Sequence, residues 1–101
     1  MKGTCVGIAH KVGSFVDRQT GETKDYDNFI FFINFQADTD MIGGLACKQY
    51  KLRASHLVEA CEDINGMNIK SADDLKQLVG KRLKITADKY DIIEDILICN
   101  K

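Results

Sequence analysis

The sequence predicts a single mainly β domain of five strands, with a helical segment between the third and fourth strands. Two observations lead to this fold class. Three stretches in the first half alternate between apolar and polar residues, which is the period of a strand. After Arg53 the apolar period changes to three or four residues, and it returns to alternation near the end of the chain. The 101 residues contain no repeat, linker or proline, so one domain is expected over residues 1–101.

The first two strands are predicted as a long hairpin. Strand one covers residues 3–16, and Gly7 and Gly13 are places where it can bend or bulge. The polar residues 17–24 form a turn that reverses the chain. Strand two then covers residues 25–37, which include the apolar stretch FIFFINF.

A third strand and two short helices follow. Residues 38–44 form a loop, and residues 45–53 alternate well enough for strand three. In the stretch SHLVEACEDI, apolar residues recur at helical spacing, with Ser55 as N-cap and Gly66 just past the end. A second short helix begins near Ser71, where Asp74 completes a capping box with the shorter acid, and it ends at Gly80.

The last part of the chain, residues 81–99, is predicted as two strands that meet at a tight turn near Tyr90 and Asp91. Three strands, a helical connection and a final hairpin match the five-stranded, partly open Greek-key barrel known as the OB-fold. The glycine-interrupted first strand suits a strand that curves between two sheets. Small SH3-like barrels and a plain α+β sheet are the competing architectures.

Strand two has two apolar faces, which is more apolar surface than a half-buried strand needs. One face collects Phe29, Phe31, Ile33 and Phe35 and is predicted to face the barrel interior. Together with residues from the other elements, the predicted core consists of Val6, Ile8, Phe29, Phe31, Ile33, Phe35, Leu57, Leu83, Ile85, Ile96 and Ile98. The other face mixes aromatic residues with amides, a poor composition for a core and a suitable one for stacking on bases. That face collects Tyr26, Asn28, Ile30, Phe32 and Asn34.

Aromatic and basic residues are concentrated where an OB-fold binds its ligands, across strands two and three and at the first and last hairpin turns. Unpaired bases stack on exposed aromatic rings, and backbone phosphates need nearby cations. The predicted nucleic-acid-binding residues are Lys11, Phe15, Arg18, Lys24, Tyr26, Phe32, Lys48, Tyr50, Lys51, Arg53, Lys89 and Tyr90.

Structural roles compete with binding at several of these positions. Phe32 and Ile30 can equally lie under the helix or in a dimer interface. Tyr50 can face inward with Leu52, because the phase of strand three is ambiguous. Each lysine can equally belong to a solvated face that keeps the protein in solution.

The opening MKGTCVGIAHKVG, the hairpin DRQTGETKDYDNF and the ending LVGKRLKITADKYDIIEDILI resemble the small single-stranded DNA-binding, helix-destabilising proteins of filamentous phages and related mobile elements. The resemblance is one of layout across most of the chain. It implies an OB-type barrel, often a homodimer, that coats single strands during DNA replication. It carries over to Arg18, Lys24, Tyr26, Phe32, Tyr50 and Tyr90 as loop and sheet contacts. The chain departs from this pattern in its net charge of -1 and in its additional helical segment, residues 55–79.

Composition argues against several other classes of protein. No apolar run is long enough to cross a bilayer and the N-terminus lacks a signal-peptide core, so a cytoplasmic location without membrane contact is expected. The four scattered cysteines do not have zinc-ligand spacing, so no metal or other cofactor is expected. The pairs Cys5/His10 and Cys61/His56 lack an orienting acid, and no glycine-rich phosphate loop exists, so the protein is not expected to be an enzyme.

Two functions remain open on the sequence. The first is binding of single-stranded nucleic acid, DNA more than RNA, without strong sequence preference. The second is a protein-interaction or assembly module that uses the exposed face of strand two, since OB-like barrels host many unrelated roles.

Overall fold

The computed structural model describes residues 2–36, 41–62, 64 and 68–99. The described chain is mainly β, as the sequence predicts. Its strands are β1 (Lys2–Val16), β2 (Thr23–Phe35), β3 (Ala46–Arg53), β4 (Arg82–Ala87) and β5 (Ile93–Ile98). A 3₁₀ turn (Ala54–His56), the helix α1 (Leu57–Ala60) and a second 3₁₀ segment (Asp73–Leu78) lie between β3 and β4 in the sequence.

The five strands form one open antiparallel sheet in the order β3-β2-β1-β4-β5. β1 is the longest strand and pairs with β2 along most of its length, whereas β4 pairs only with its first residues, Lys2 to Thr4. A parallel bridge joins Lys51 of β3 to Ile92, just before β5. The Lys51 N–H donates to the Asp91 carbonyl at 2.9 Å. The ends of the two edge strands are therefore in contact at this point.

A β-bulge in β1 decides which of its side chains enter the core. The register shifts between Cys5 and Gly7, so Val6 is the extra residue. Before the bulge the odd-numbered Cys5 is fully buried, and after it the even-numbered Ile8 packs against the core. The prediction that Val6 is buried is wrong, because the bulge turns its side chain outward and leaves it 49% exposed.

The core lies on one face of the sheet and under the helical segments. Seven of the predicted core residues are buried: Phe29, Phe31, Ile33, Leu57, Leu83, Ile85 and Ile96. Ile8 and Ile98 are only partly buried at its edge, and Phe35, at the end of β2, is half-buried. Leu75 and Leu78 of the second 3₁₀ segment are fully buried and were missed by the prediction.

The helical connection is shorter than its sequence pattern predicts. Ser55 is not the N-cap, because the extended Arg53 leads directly into a 3₁₀ turn that contains Ser55. The second predicted helix is a 3₁₀ segment. Half of its predicted capping box is present, since the Asp74 carboxylate accepts the N–H of Ser71 at 3.1 Å, and also that of Lys70 at 3.0 Å. The last residue of the predicted strand two, Ala37, the first part of the predicted loop, residues 38–40, and Gly66 lie outside the described residues.

The turn between β4 and β5 is tight, as expected. Asp91 has a φ of 61°, the left-handed conformation that Asn, Asp and Gly tolerate best. The Asp88 carboxylate accepts the N–H groups of Tyr90 at 2.8 Å and Ile92 at 3.1 Å. In the described ranges, no helix is both long and apolar enough to span a membrane.

Candidate functional site

The register of β1, β2 and β3 defines one surface, here called the outer face. After the bulge, Gly13 pairs with Tyr26 and Lys11 with Asn28, while on the other side Lys51 pairs with Ile30 and Gln49 with Phe32. Paired residues in neighbouring strands project to the same side of a sheet. The outer face therefore consists of Gly7, Ala9, Lys11, Gly13, Phe15, Lys24, Tyr26, Asn28, Ile30, Phe32, Asn34, Cys47, Gln49, Lys51 and Arg53.

Three predicted stacking residues lie on this face. The Tyr26 ring lies over Gly13, where a Cβ atom would come within 2.6 Å of Tyr26 Cζ. Its other neighbour is Phe15, whose ring centroid is 6.5 Å away at an interplanar angle of 33°. Phe15 is 52% exposed, whereas Tyr26 and Phe32 are half-buried and present only part of each ring to solvent. The absence of a side chain at Gly13 leaves room for the Tyr26 ring against β1.

The cations of the outer face differ in their electrostatic surroundings. Among the described residues, Lys11, Lys51 and Arg53 are exposed and have no carboxylate within ion-pair distance. The Lys24 Nζ lies 3.1 Å from the Asp17 carboxylate. The Gln19 N–H and then the Lys24 ammonium lower the pKa of that carboxyl. Lys11, Lys51 and Arg53 are therefore the cations most available to an anionic ligand.

The two hairpin turns supply the remaining predicted residues. Arg18 is exposed in the β1–β2 turn. Tyr90 is 70% exposed in the β4–β5 turn, and the Lys89 Nζ lies 5.1 Å from its ring centroid. The bond from the Lys51 N–H to the Asp91 carbonyl ties this turn to β3, so Tyr90 lies beside the outer face.

Two cavities are lined by residues of the outer face. A groove of about 500 Å³ runs from Tyr26 and Asn28 to Lys51 and Arg53, and Asp25 and Asp27 also line it. A smaller cavity of about 200 Å³ lies between the β4–β5 turn and the outer face. Lys51 lines both, so the two cavities adjoin along β3.

Tyr50 and Lys48 are not on the outer face, which corrects their predicted position. They alternate with Gln49 and Lys51 along β3, and Tyr50 pairs with the buried Phe31. Tyr50 is 4% exposed, so its ring cannot stack on a base, and burial raises the pKa of its phenol. The Lys48 Nζ lies 5.2 Å from the Tyr50 ring centroid and 3.0 Å from the Asp91 carboxylate, which raises the lysine pKa.

Gln49 and Asp91 line the smaller cavity but were not predicted from the sequence as binding residues. The phase of β3 is the signal that would have found Gln49, because a buried Tyr50 places Gln49 next to Phe32. Asp91 has no comparable signal in the sequence, since its position depends on the contact between the last turn and β3.

The residues considered for catalysis have other contacts. The His10 imidazole lies 2.5 Å from the Asp27 carboxylate and stacks on Phe29, and the His56 imidazole hydrogen-bonds the Glu94 carbonyl at 2.9 Å. Burial raises the pKa of the Cys61 thiol to about 11. Across the described part of the chain, no three His, Cys, Asp or Glu residues are grouped so that they could hold a metal ion.

Comparison with protein-family models, curated proteins and solved structures gives no significant match. The resemblance to phage single-stranded DNA-binding proteins therefore stays a prediction. The class of protein is defined by fold and surface alone: a mainly β protein whose sheet presents partly exposed aromatic rings and exposed cations on one face.

Proposed function

We propose that the protein binds single-stranded nucleic acid, with DNA as the expected ligand, across its outer face. The observation that supports this most is that three adjacent strands present aromatic rings together with cations that have no carboxylate partner among the described residues. Phe15, Tyr26, Phe32 and Tyr90 would stack on bases. Phosphates would be held by Lys11, Arg18, Lys24, Lys51, Arg53 and Lys89.

We also propose that the protein folds as an OB-like Greek-key barrel. The strand order and the parallel bridge from Lys51 to Ile92 support it, because closure between the third and fifth strands would convert the open sheet into a partly open barrel. In such a barrel, ligands lie across strands two and three and against the first and last hairpin turns. The aromatic and basic residues of this chain are concentrated in those places.

Base stacking is expected to contribute more binding free energy on this surface than electrostatic contacts with phosphates. Base stacking on an aromatic side chain is worth about 1–3 kcal/mol per base and does not depend strongly on sequence. The net charge of -1 limits the electrostatic term to local contacts. A duplex hides the faces of its bases, so its binding would lack the free energy of base stacking on the aromatic side chains. The protein should therefore prefer single strands.

Fluorescence anisotropy with labelled oligonucleotides tests the proposal. Single-stranded DNA should bind at low salt and weaken as salt rises, and a duplex of the same sequence should bind much more weakly. A single-stranded RNA of matched sequence measures the preference between the two nucleic acids. No binding of any single strand at low salt, or tighter binding of duplex, would reject the proposal and favour a protein partner for the outer face.

A pair of variants on β1 provides the matched control. Phe15 and Val12 are exposed apolar residues on the same strand, 52% and 64% exposed, but they project to opposite sides of the sheet. Phe15→Ala should weaken binding of single-stranded DNA, whereas Val12→Ala should not. Equal losses in both variants would indicate that the hairpin as a whole, rather than its outer face, contacts the ligand.

A further inference from the structure

The smaller cavity beside the outer face has the form of a slot. It has a volume of about 200 Å³ and is lined by Ile30, Gln49, Tyr50, Lys51, Tyr90 and Asp91. Ligand sites for drug-sized molecules usually measure about 300–1,000 Å³, so this slot is too small for a whole nucleotide and suits a single ring system. Ile30 supplies apolar surface on one side, and the exposed Tyr90 ring stands at the turn.

The turn that carries Tyr90 and Asp91 is held in place by its own backbone contacts. The Asp88 carboxylate accepts the N–H groups of Tyr90 and Ile92, and the Lys51 N–H donates to the Asp91 carbonyl. These bonds fix the turn against β3. The slot is therefore formed before any ligand arrives, which reduces the entropic cost of binding.

The polar groups of the slot restrict which ring it accepts. An ionised Asp91 carboxylate can only accept hydrogen bonds. One of its oxygens, Oδ1, lies 3.0 Å from the Lys48 Nζ. Among the described residues, the other oxygen has no hydrogen-bond or ion-pair partner, and the side chain is 44% exposed, so a ligand can donate to it. The exposed Gln49 amide can both donate and accept, so it adapts to the rest of the ring edge.

We propose that the slot receives one unstacked nucleobase of the bound single strand and favours cytosine over uracil. Cytosine offers its N4 amine to a carboxylate, a pairing known from base readout by Asp and Glu. Uracil has a carbonyl oxygen at that position, which the Asp91 carboxylate repels. This inference rests on the proposed function, because it requires a single strand on the outer face.

Binding of oligo(dC) and oligo(dU) of equal length, at neutral pH and one salt concentration, tests the slot. These ligands share a sugar, a backbone and a pyrimidine ring. The wild-type protein should bind oligo(dC) about fivefold more tightly, the effect of roughly one net hydrogen bond. Asp91→Asn should abolish the preference, because an amide can donate to uracil as well as accept from cytosine. Asn also tolerates the left-handed backbone of Asp91, so the turn should persist.

Two control variants distinguish the effect of the Asp91 carboxylate from the effects of neighbouring residues. Lys48→Gln removes the same ion pair as Asp91→Asn but keeps the carboxylate, so the preference for oligo(dC) should remain. Tyr26→Ala should weaken both ligands by the same factor and leave their ratio unchanged.

The base-binding slot and the binding of single strands can be rejected separately. Measurable but equal binding of oligo(dC) and oligo(dU) by the wild-type protein would overturn the slot and leave the proposed function in place. A preference that persists in Asp91→Asn, or that disappears in Lys48→Gln, would also overturn the role of the carboxylate. Binding of neither ligand would reject both proposals.

Discussion

Phe31 lies at the centre of the core, opposite Ile8 on β1 and Tyr50 on β3. It is fully buried, so Phe31→Ala would leave a cavity and lose the transfer free energy of the ring. The expected loss of unfolding free energy is about 3–5 kcal/mol. Because small domains have about 5–15 kcal/mol in total, the variant should be marginally stable in urea denaturation.

Phe15→Ala serves as the control for this loss. The same residue type lies on the same sheet but is 52% exposed, so its removal should change the unfolding free energy by about 0.5 kcal/mol or less. A Phe31→Ala protein with an unchanged denaturation midpoint would mean that the two faces of β2 are assigned the wrong way round.

The cysteines should differ sharply in reactivity. Burial raises the pKa of the Cys5 and Cys61 thiols, the latter to about 11, so both stay protonated at neutral pH and are shielded from reagents. Cys47 is exposed on the outer face. A disulfide reagent should modify Cys47 rapidly, and Cys5 and Cys61 only when the protein unfolds. Cys47→Ser should remove the rapid phase. Rapid modification of Cys61 in the native protein would contradict its place in the core.

The β1–β2 hairpin determines the position of Tyr26, which pairs with Gly13. Gly13→Ala should displace the Tyr26 ring, because the new Cβ would overlap it. The ring is the end of a rotatable side chain, so stability should change little while affinity for single-stranded DNA falls, by up to the 1–3 kcal/mol of about one stacked base. Gly7→Ala is the matched control. Its Cβ would lie 3.7 Å from the Phe32 ring, an ordinary contact, so affinity should not change. Equal affinities of wild-type and Gly13→Ala proteins would exclude Tyr26 from the interface.

Alternation in the sequence predicts β2 well and β1 and β3 less well. In β2 the buried Phe29, Phe31 and Ile33 are apolar without interruption, so the face was predictable from the sequence. In β1 the bulge at Val6 changes the phase, and the sequence marks the bulge only through Gly7. In β3 apolar and polar residues are too mixed to fix the phase, and pairing with β2 decides that Tyr50 is buried. Pairing between distant strands is not encoded in local periodicity.

Across the molecule, the cations differ in their ion pairing, so their replacement should change the salt dependence of binding to different extents. Replacing Lys51 with Ala should reduce the slope of log affinity against log salt by about 0.7, because one fewer counterion is released from a single strand. Lys24→Ala should reduce it less, since Lys24 already pairs with Asp17. Phe32→Ala should lower affinity without changing the slope, because base faces are neutral. A titration series at several salt concentrations measures all three. A large change of slope in Phe32→Ala would contradict the division between stacking and phosphate contacts.

The order of the elements was predictable for the molecule as a whole, whereas the composition of the site was only partly so. Five strands with a helical connection follow from changes of period along the chain. The neighbourhood of Tyr90, Gln49 and Asp91 depends on one hydrogen bond between β3 and the last turn, which joins residues 40 positions apart in the sequence, Lys51 and Asp91. No local sequence pattern predicts such a contact.

Intrinsic tyrosine fluorescence reports directly on stacking at the outer face, because the chain has three tyrosines and no tryptophan. Tyr26 and Tyr90 are on or beside the outer face, and Tyr50 is buried. Titration with unlabelled single-stranded DNA, corrected for absorption by the DNA, should quench a large part of the emission as bases stack on Tyr26 and Tyr90. The double variant Tyr26→Phe/Tyr90→Phe should bind with nearly unchanged affinity and lose most of the quenching, since Tyr50 alone remains. Saturable binding without quenching, or full quenching in the double variant, would contradict stacking on the outer face.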